Sequence, residues 1–492
     1  MESELKSTHQ LHDYTAFPYG VLSIATYVKN NTDAKVKIFD YNINKNIEET
    51  IEEFKPTIVA LSLMFDSSYK YISNVISQIR KTNHRCQIVI GGMAATSSYR
   101  EILNEFPDIR AVCYYDGEMP IAGLALADYT YDIFDAWITR RKLSRGVIPK
   151  KNVVKDLDDV INLDYSLINI ENYPMVEAFS PNIVGEKKKQ FYIVTSRGCP
   201  YKCRFCMHSA DPDKSMRYAS VPAIISHVKN LVEKYQMNVL TFYDDQVLLD
   251  KNRAKEMFKQ LAQFNLRIEF PNGVSVAFID EEMVQLMHNA GVDTITLAIE
   301  SGSPRVLKDI IKKPLHLEQV KPAVDLFHKY GIIVIGFIVS GMPGETDEDR
   351  AMTVKFFKDS EIDWASIANA TPLRGTELYN ECIENGYIPK DMKRGEINMK
   401  NYIISTPDQK PEELIKKSYL MNLDINFINN HAMAVEDYRT AIKMFNGVLK
   451  RDPNHAFAYY YISLCAKKIY EELCNNKDWK DYSKYFNLET KQ

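Results

Sequence analysis

Short apolar runs alternate with segments of helical period along most of the chain. In the first part, residues 35–40, 58–64, 87–92 and 111–115 read as strands, and 16–30, 47–54, 68–81 and 98–106 as helices. This alternation predicts an α/β fold with a doubly wound, Rossmann-like parallel sheet over residues 1–130. Its ligand crevice should open at the carboxyl ends of the strands. Met64, Phe65, Asp66 and Ser67 fall there, as do Gly91, Gly92, Met93 and Ala94, and then Asp116, Gly117 and Glu118. Adjacent glycines would let backbone approach a large flat ligand closely. Residues 131–190 read as a connector.

The pattern resumes at residue 191. Strands are expected at 191–195, 238–243, 267–270, 293–299, 332–339 and 363–370, with helices at 221–235, 250–264, 280–290, 303–312, 317–330 and 347–358. Six such units are too few for a closed eightfold barrel, so a partial (β/α)6 TIM-type barrel is expected over 191–395. Each strand runs into a polar or glycine-rich stretch, namely Asp244-Asp245, Pro271-Asn272-Gly273, Glu300-Ser301-Gly302, 340–345 and 371–376, with a cysteine loop after the first. All lie at strand carboxyl ends, the face on which such barrels place their chemistry. Residues 396–492 read as helical, with a pair near 436–450 and 455–473 and a polar tail after Asn475 that is expected to fray.

Composition narrows the class. The chain has 492 residues and a formal charge of −4 with both signs interspersed, which leaves no nucleic-acid footprint. The basic stretch 140–151 reads as a solvated linker. The opening residues are charged and lack a signal-peptide core, and the longest apolar run, 332–339, is too short to cross a bilayer. Eight cysteines in so long a chain are not a disulfide framework, so a reducing cytoplasm is the expected location.

Three of those cysteines, Cys199, Cys203 and Cys206, form a C-x3-C-x2-C array just after an apolar strand. Thiolates at such spacing hold iron–sulfur clusters or zinc. A closed zinc site would need His208 as fourth ligand, whereas three thiolates on a 4Fe–4S cluster leave one iron open for chemistry. The run from Thr195 to Ser209 resembles the signature loop of radical S-adenosylmethionine (SAM) enzymes. Phe242-Tyr243-Asp244-Asp245, Ile299-Glu300-Ser301-Gly302 and the stretch 336–346 resemble further family motifs, although Arg374 stands where a proline is usual. The resemblance implies a cluster that binds SAM at its open iron and cleaves it to a 5′-deoxyadenosyl radical. Phe205 takes the family's aromatic position near the adenine. Asp244 is expected to accept from the SAM ammonium and Glu300 from the ribose, with Asp245 and Ser301 beside them; Gly341 and Gly344 should meet the adenine through backbone. An alternative role for either aspartate is to cap the following helix. Tyr201 and His208 are candidate catalytic residues, with Met207 and Arg217 close in sequence; His208 is equally readable as an ordinary hydrogen-bonded histidine.

The N-terminal layout resembles the cobalamin-binding domain that precedes the barrel in one large radical SAM class. Residues 18–25 look like its first helix and 115–118 its final turn, while its opening strand and a histidine after Met64 are missing. Ala441, Phe445, Asp452-Pro453, Ala456 and Ala458 resemble one tetratricopeptide unit, which must pack on the barrel or meet a protein partner. The resemblance implies a cobalamin-dependent C-methyltransferase acting on a small molecule or peptide. It also implies an electron donor such as flavodoxin or ferredoxin, and no nucleic-acid or membrane partner. Rearrangement, cyclisation or epimerisation by the same radical, and a non-catalytic Fe–S or zinc scaffold, stay open as alternatives. Methylthiotransferases carry an extra N-terminal cysteine triad that is absent here.

Overall fold

The valine- and isoleucine-rich runs of the first part pair as the alternation predicts. In the computed structural model, β1 (Ile58–Ser62), β2 (Gln87–Gly91) and β3 (Ile109–Cys113) form a parallel sheet in that order. The structure describes residues 18–475 apart from 45, 128–129, 174–188, 212, 393–394 and 398–400, so the polar opening and the tail lie outside it. Period-two alternation divides the sheet into two cores. Ile88 and Ile90 face the helices Ile47–Phe54, Ile72–Thr82 and Tyr99–Glu105, whereas Val89, Ala111 and Cys113 face Leu124 and Trp137.

One expectation for this region is corrected. Residues 35–40 run extended but join no ladder: Lys35 and Lys37 point to solvent and the chain only rests Ile38 and Phe39 on neighbouring cores. The fourth strand comes instead from the connector, where β4 (Trp137–Ile138) pairs antiparallel with β3. The basic stretch 140–151 is mostly exposed, and two of its cations are tied down: Arg140 donates to the Phe106 and Ile109 carbonyls, and Lys151 pairs with Asp211 at 2.7 Å.

In the second part β5 (Gln190–Ile193) enters the barrel, and a short antiparallel hairpin, β6 (Ser196–Arg197) and β7 (Arg217–Tyr218), brackets the cysteine loop. The remaining strands, β8 (Val239–Phe242), β9 (Arg267–Glu269), β10 (Thr294–Glu300), β11 (Ile333–Ser340) and β12 (Trp364–Asn369), follow in chain order. The ladders β5-β8-β9 and β10-β11-β12 are parallel and are joined by a single Val274–Leu297 bridge, giving an open partial barrel. Local chemistry sets the helix ends. Ser220, Asp250 and Asp280 cap three helices, and Thr346 with Asp349 forms a capping box on Asp347–Asp359. The cap after β8 is therefore Asp250, and neither Asp244 nor Asp245 serves as one. The helix expected at 303–312 is a wide π turn, Val306–Ile311, whose last carbonyls turn toward the cysteine loop.

Beyond β12 the chain folds back. Asn426 accepts from the Ala365 N–H at 2.7 Å and donates to its carbonyl at 2.8 Å, and so covers the edge of β12 as a strand would. Phe427 stacks on Phe445 at 5.2 Å and meets Trp364 at 6.0 Å, which seats the helix pair Tyr438–Arg451 and Ala456–Asn475 against the barrel. Among the described residues, no helix is long and apolar enough to cross a membrane.

Candidate active site

β5 delivers the chain to the carboxyl face of the barrel, and the β6–β7 hairpin turns it into the cysteine loop. Gly198 has φ 108°, and a β-carbon there would lie 2.6 Å from the Ser215 carbonyl, so the hairpin admits only glycine at this point. Cys199, Cys203 and Cys206 are free thiols, all half-buried. Burial raises each of them, Cys206 to about 11; the neighbouring cysteines add to the effect at Cys203 and Cys206, and Asp245 at Cys199. His208 is turned to Asp245, with Nε2 2.9 Å from Oδ1. Burial disfavours its charge, but Asp245 and Asp211 outweigh that and raise its pKa.

Two arginines that the motif leaves unexplained fasten this loop. Arg204, between Cys203 and Cys206, donates to the Ile310 carbonyl at 3.0 Å and pairs with Glu381, while its N–H reaches the Ile311 carbonyl. Arg197, two residues before Cys199, reaches into the N-terminal domain: it pairs with Glu118 at 2.8 Å and Asp116 at 3.3 Å and donates to Ser23. Arg217 adds a 2.7 Å pair to Asp116. Glu118, expected at the ligand crevice, is thus held in the seam between the two domains.

The two aspartates after β8 have separate environments. Asp244 is buried and accepts from the Thr195 N–H and hydroxyl and from the Ser196 hydroxyl at 2.6–3.1 Å, tying β8 to the start of the hairpin. Asp245 instead lines a small open cleft together with Tyr201, Asn272, Ser275 and Lys313. Glu300 ends β10 at φ 75°, after a register slip beyond Leu297, and receives Lys313 at 3.1 Å. Burial works against the charge on Lys313, yet Glu300 and Cys203 beside it raise its pKa overall. Sequence reasoning missed Lys313, because a lysine pair before a proline reads as solvated surface. Ser301 bonds Thr353 rather than the cleft. A β-carbon on Gly341 would strike Leu414 and Tyr402, whereas Gly344 faces open space apart from Ile310 at 3.8 Å. Phe205 packs with Cys203 on the cluster around Ile310 and Leu378.

At the N-terminal crevice, the neighbouring Met64 and Phe65 are 49% and 63% exposed and form an apolar surface open to a ligand. Asp66 accepts from the Gly395 N–H at 2.8 Å and lies 3.6 Å from Arg374, which accounts for the arginine that replaces the usual proline. Ser67, Gly91 and Met93 are half-buried beside it. A β-carbon on Gly92 would sit 2.5 Å from the Leu63 carbonyl, so this glycine is required by its own sheet and not by a ligand. Gly375, past β12, comes up against Ser97 of the N-terminal domain. The carboxyl ends of the two sheets therefore face one another.

A model of the radical SAM superfamily matches residues 193–357, and one of the B12 binding domain matches residues 13–125. The chain carries a radical SAM domain and a B12-binding domain. Among curated proteins it is similar to cytidylyl-2-hydroxyethylphosphonate methyltransferase of Streptomyces wedmorensis, 28% identical over 415 residues covering 77% of each chain. An uncharacterized methyltransferase of Pyrococcus horikoshii is 27% identical over 390 residues, covering 76% of this chain and 80% of its own. Its fold is similar to that of the radical SAM methyltransferase TsrM of Kitasatospora setae, whose structure holds cobalamin and a 4Fe–4S cluster (TM-score 0.61, 15% identity, 82% and 85% of the chains covered). The cobalamin-dependent radical enzyme OxsB gives a TM-score of 0.64 at 15% identity, over 88% of this chain and 69% of its own. In this chain the cysteine trio fits a 4Fe–4S cluster, the cleft beside it carries both signs of charge that SAM's amino-acid end needs, and the exposed apolar crevice fits a corrin.

Proposed function

We propose that this chain is a cobalamin-dependent radical SAM methyltransferase that places a methyl group on carbon in a small molecule or peptide. The observation that carries the reading is the apposition of the two carboxyl faces, joined through Arg374–Asp66 and Gly375–Ser97. That apposition would bring a corrin over Met64 and Phe65 toward the cysteine loop. When bound, the cluster supplies the electron that cleaves SAM reductively and cobalamin supplies a carrier for the methyl group. Cys199, Cys203 and Cys206 would hold the cluster. Asp245 would take the SAM ammonium and Lys313 its carboxylate, with Glu300 steering Lys313, while Asp244 fixes the hairpin behind them. Tyr201 lines the substrate side of the cleft, and His208, oriented by Asp245, is placed to hold a proton there. Flavodoxin or ferredoxin would supply electrons in a reducing cytoplasm, and the exposed Tyr459 and Tyr460 favour a protein partner on the last helix.

A second reading has one observation in its favour: the chain is also 23% identical, over 431 residues, to the anaerobic magnesium-protoporphyrin IX monomethyl ester cyclase of Rubrivivax gelatinosus. Radical cyclisation would use the same residues without methyl transfer. The test needs no substrate. Cluster-loaded protein with hydroxocobalamin, reductant and SAM should release S-adenosylhomocysteine in an amount matching the bound corrin, together with slow formation of 5′-deoxyadenosine. Formation of 5′-deoxyadenosine with no S-adenosylhomocysteine would remove the methyltransferase reading and leave cyclisation or rearrangement.

A further inference from the structure

The amino ends of β11 and β12 lie opposite the catalytic face, and there three distant segments bring metal-ligating side chains together. His328 stands in the last turn of the helix Val320–Lys329, Glu361 in the turn before β12, and His431 at the start of the short helix His431–Ala434. One ring nitrogen of each histidine and one Glu361 carboxylate oxygen lie within 4.8 Å of one another. The two imidazoles are nearly parallel, 8° apart with centroids at 4.9 Å. Asp363 sits behind them: its Oδ2 is 2.9 Å from His328 Nε2 and also accepts the Val334 N–H at 2.7 Å. The carboxylate that orients the His328 ring is thus itself held by strand backbone.

We propose that this cluster is a binding site for a divalent transition-metal ion of the zinc class, with His328, Glu361 and His431 as ligands. Two imidazoles and one carboxylate are a donor set of intermediate softness that suits zinc. A carboxylate fixed by backbone and bonded to a histidine ring, as Asp363 is to His328, is the usual outer partner of such sites because it sets the ring orientation. Both histidines are half-buried and Glu361 is exposed, so the ligands are partly ordered and an ion still has an entry path. His431 belongs to the C-terminal region and the other two ligands to the barrel. The ion would clamp the helix pair onto the barrel without touching the reaction. A plain structural reading, in which the stacked histidines and the His328–Asp363 bond serve packing alone, makes a different prediction about Lys321. Its Nζ lies 3.2 Å from Glu361 and occupies the carboxylate that a metal would need.

Cluster-loaded protein, stripped with a mild chelator and dialysed against micromolar zinc, is assayed for zinc and iron by mass spectrometry. The wild type should retain one zinc per chain with its iron content unchanged. His431→Ala should lose it, and Glu361→Gln, a change at an exposed side chain that folding tolerates, should weaken retention by more than about tenfold. Lys321→Gln should tighten it, since the competing cation is gone. Zinc should also raise the unfolding temperature of the wild type and leave that of Glu361→Gln unmoved. Equal zinc in wild type and Glu361→Gln, no retention at tens of micromolar, or weaker binding in Lys321→Gln would each overturn the proposal.

Discussion

Replacing Arg197 by Met tests whether the B12-binding domain holds the cysteine loop in place. Its guanidinium joins Glu118 and Asp116, and the side chains of Glu118 and Arg197 are only 4% and 19% exposed. Removing it leaves Asp116 with Arg217, but leaves the buried Glu118 carboxylate with only the Ser23 hydroxyl among these partners. Breaking one side of a buried pair costs about 3–5 kcal/mol, chiefly through the stranded charge. The double variant Arg197→Met, Glu118→Gln removes that charge and should recover most of the loss. Urea unfolding of the two variants beside the wild type measures both quantities, and iron content after reconstitution reports the effect on the loop. A loss below about 1 kcal/mol in the single variant, or a double variant that is worse still, would refute the reasoning. Acid offers an independent check. Burial opposes ionisation of Asp116, but Arg197 and Arg217 outweigh it and hold its carboxyl below the ordinary range. Stability from a depressed carboxyl is present above its unfolded value and lost as pH falls through the folded one. The single variant should therefore lose part of that acid-sensitive stability.

Other outcomes follow from the same geometry. Replacing Cys199, Cys203 and Cys206 together by Ala should abolish iron binding and leave the circular dichroism of the N-terminal sheet intact. Glu300→Gln should weaken SAM binding roughly ten- to a hundredfold through loss of a charge-assisted partner and of the Lys313 pair, with the cluster spectrum unchanged in an equilibrium titration. Burial pushes Glu345 from an ordinary 4.5 up to about 7 despite the Gly341 N–H and Arg350. A carboxyl raised on folding gives stability that is full below the unfolded value and lost as pH rises through the folded one, so Glu345→Gln should abolish a loss of about 3 kcal/mol between those limits in pH-dependent unfolding. Gly92→Val should disrupt the first sheet by collision with the Leu63 carbonyl, visible as faster amide exchange in β1 and β2 even without corrin.

The strand and helix pattern was legible almost throughout because each barrel strand is a short apolar run bounded by a cap or a glycine, as with Asp280 and Gly291 around the helix Glu281–Ala290. The cysteine motif was legible because its spacing is the chemistry. What escaped were side chains whose role depends on a distant partner. Asp244 and Asp245 are adjacent in sequence and face different neighbours, and the course of the chain past the end of β8 decides which one lines the cleft. Gly92 looked like room for a ligand, yet its β-carbon direction points into the sheet. Lys313, Arg197 and Arg204 are ordinary cations until the acceptors 13 to more than 170 residues away are in place.

The two arginines explain why the cysteine loop can be both short of internal structure and fixed. Its own backbone bonds are few, Cys206 N–H to Cys203 and Ser209 N–H to Cys206, both at 3.0 Å. Loading a cluster requires the buried thiols to ionise, which burial resists. Arg197 toward the B12-binding domain and Arg204 toward the π turn and Glu381 anchor the loop on its two flanks, while the cations that favour ionisation are Lys214 for Cys199 and Lys313 for Cys203. The loop is therefore held in place by both neighbouring regions. Separating either from the barrel removes an anchor, so the cluster site belongs to the assembled chain and not to the motif alone.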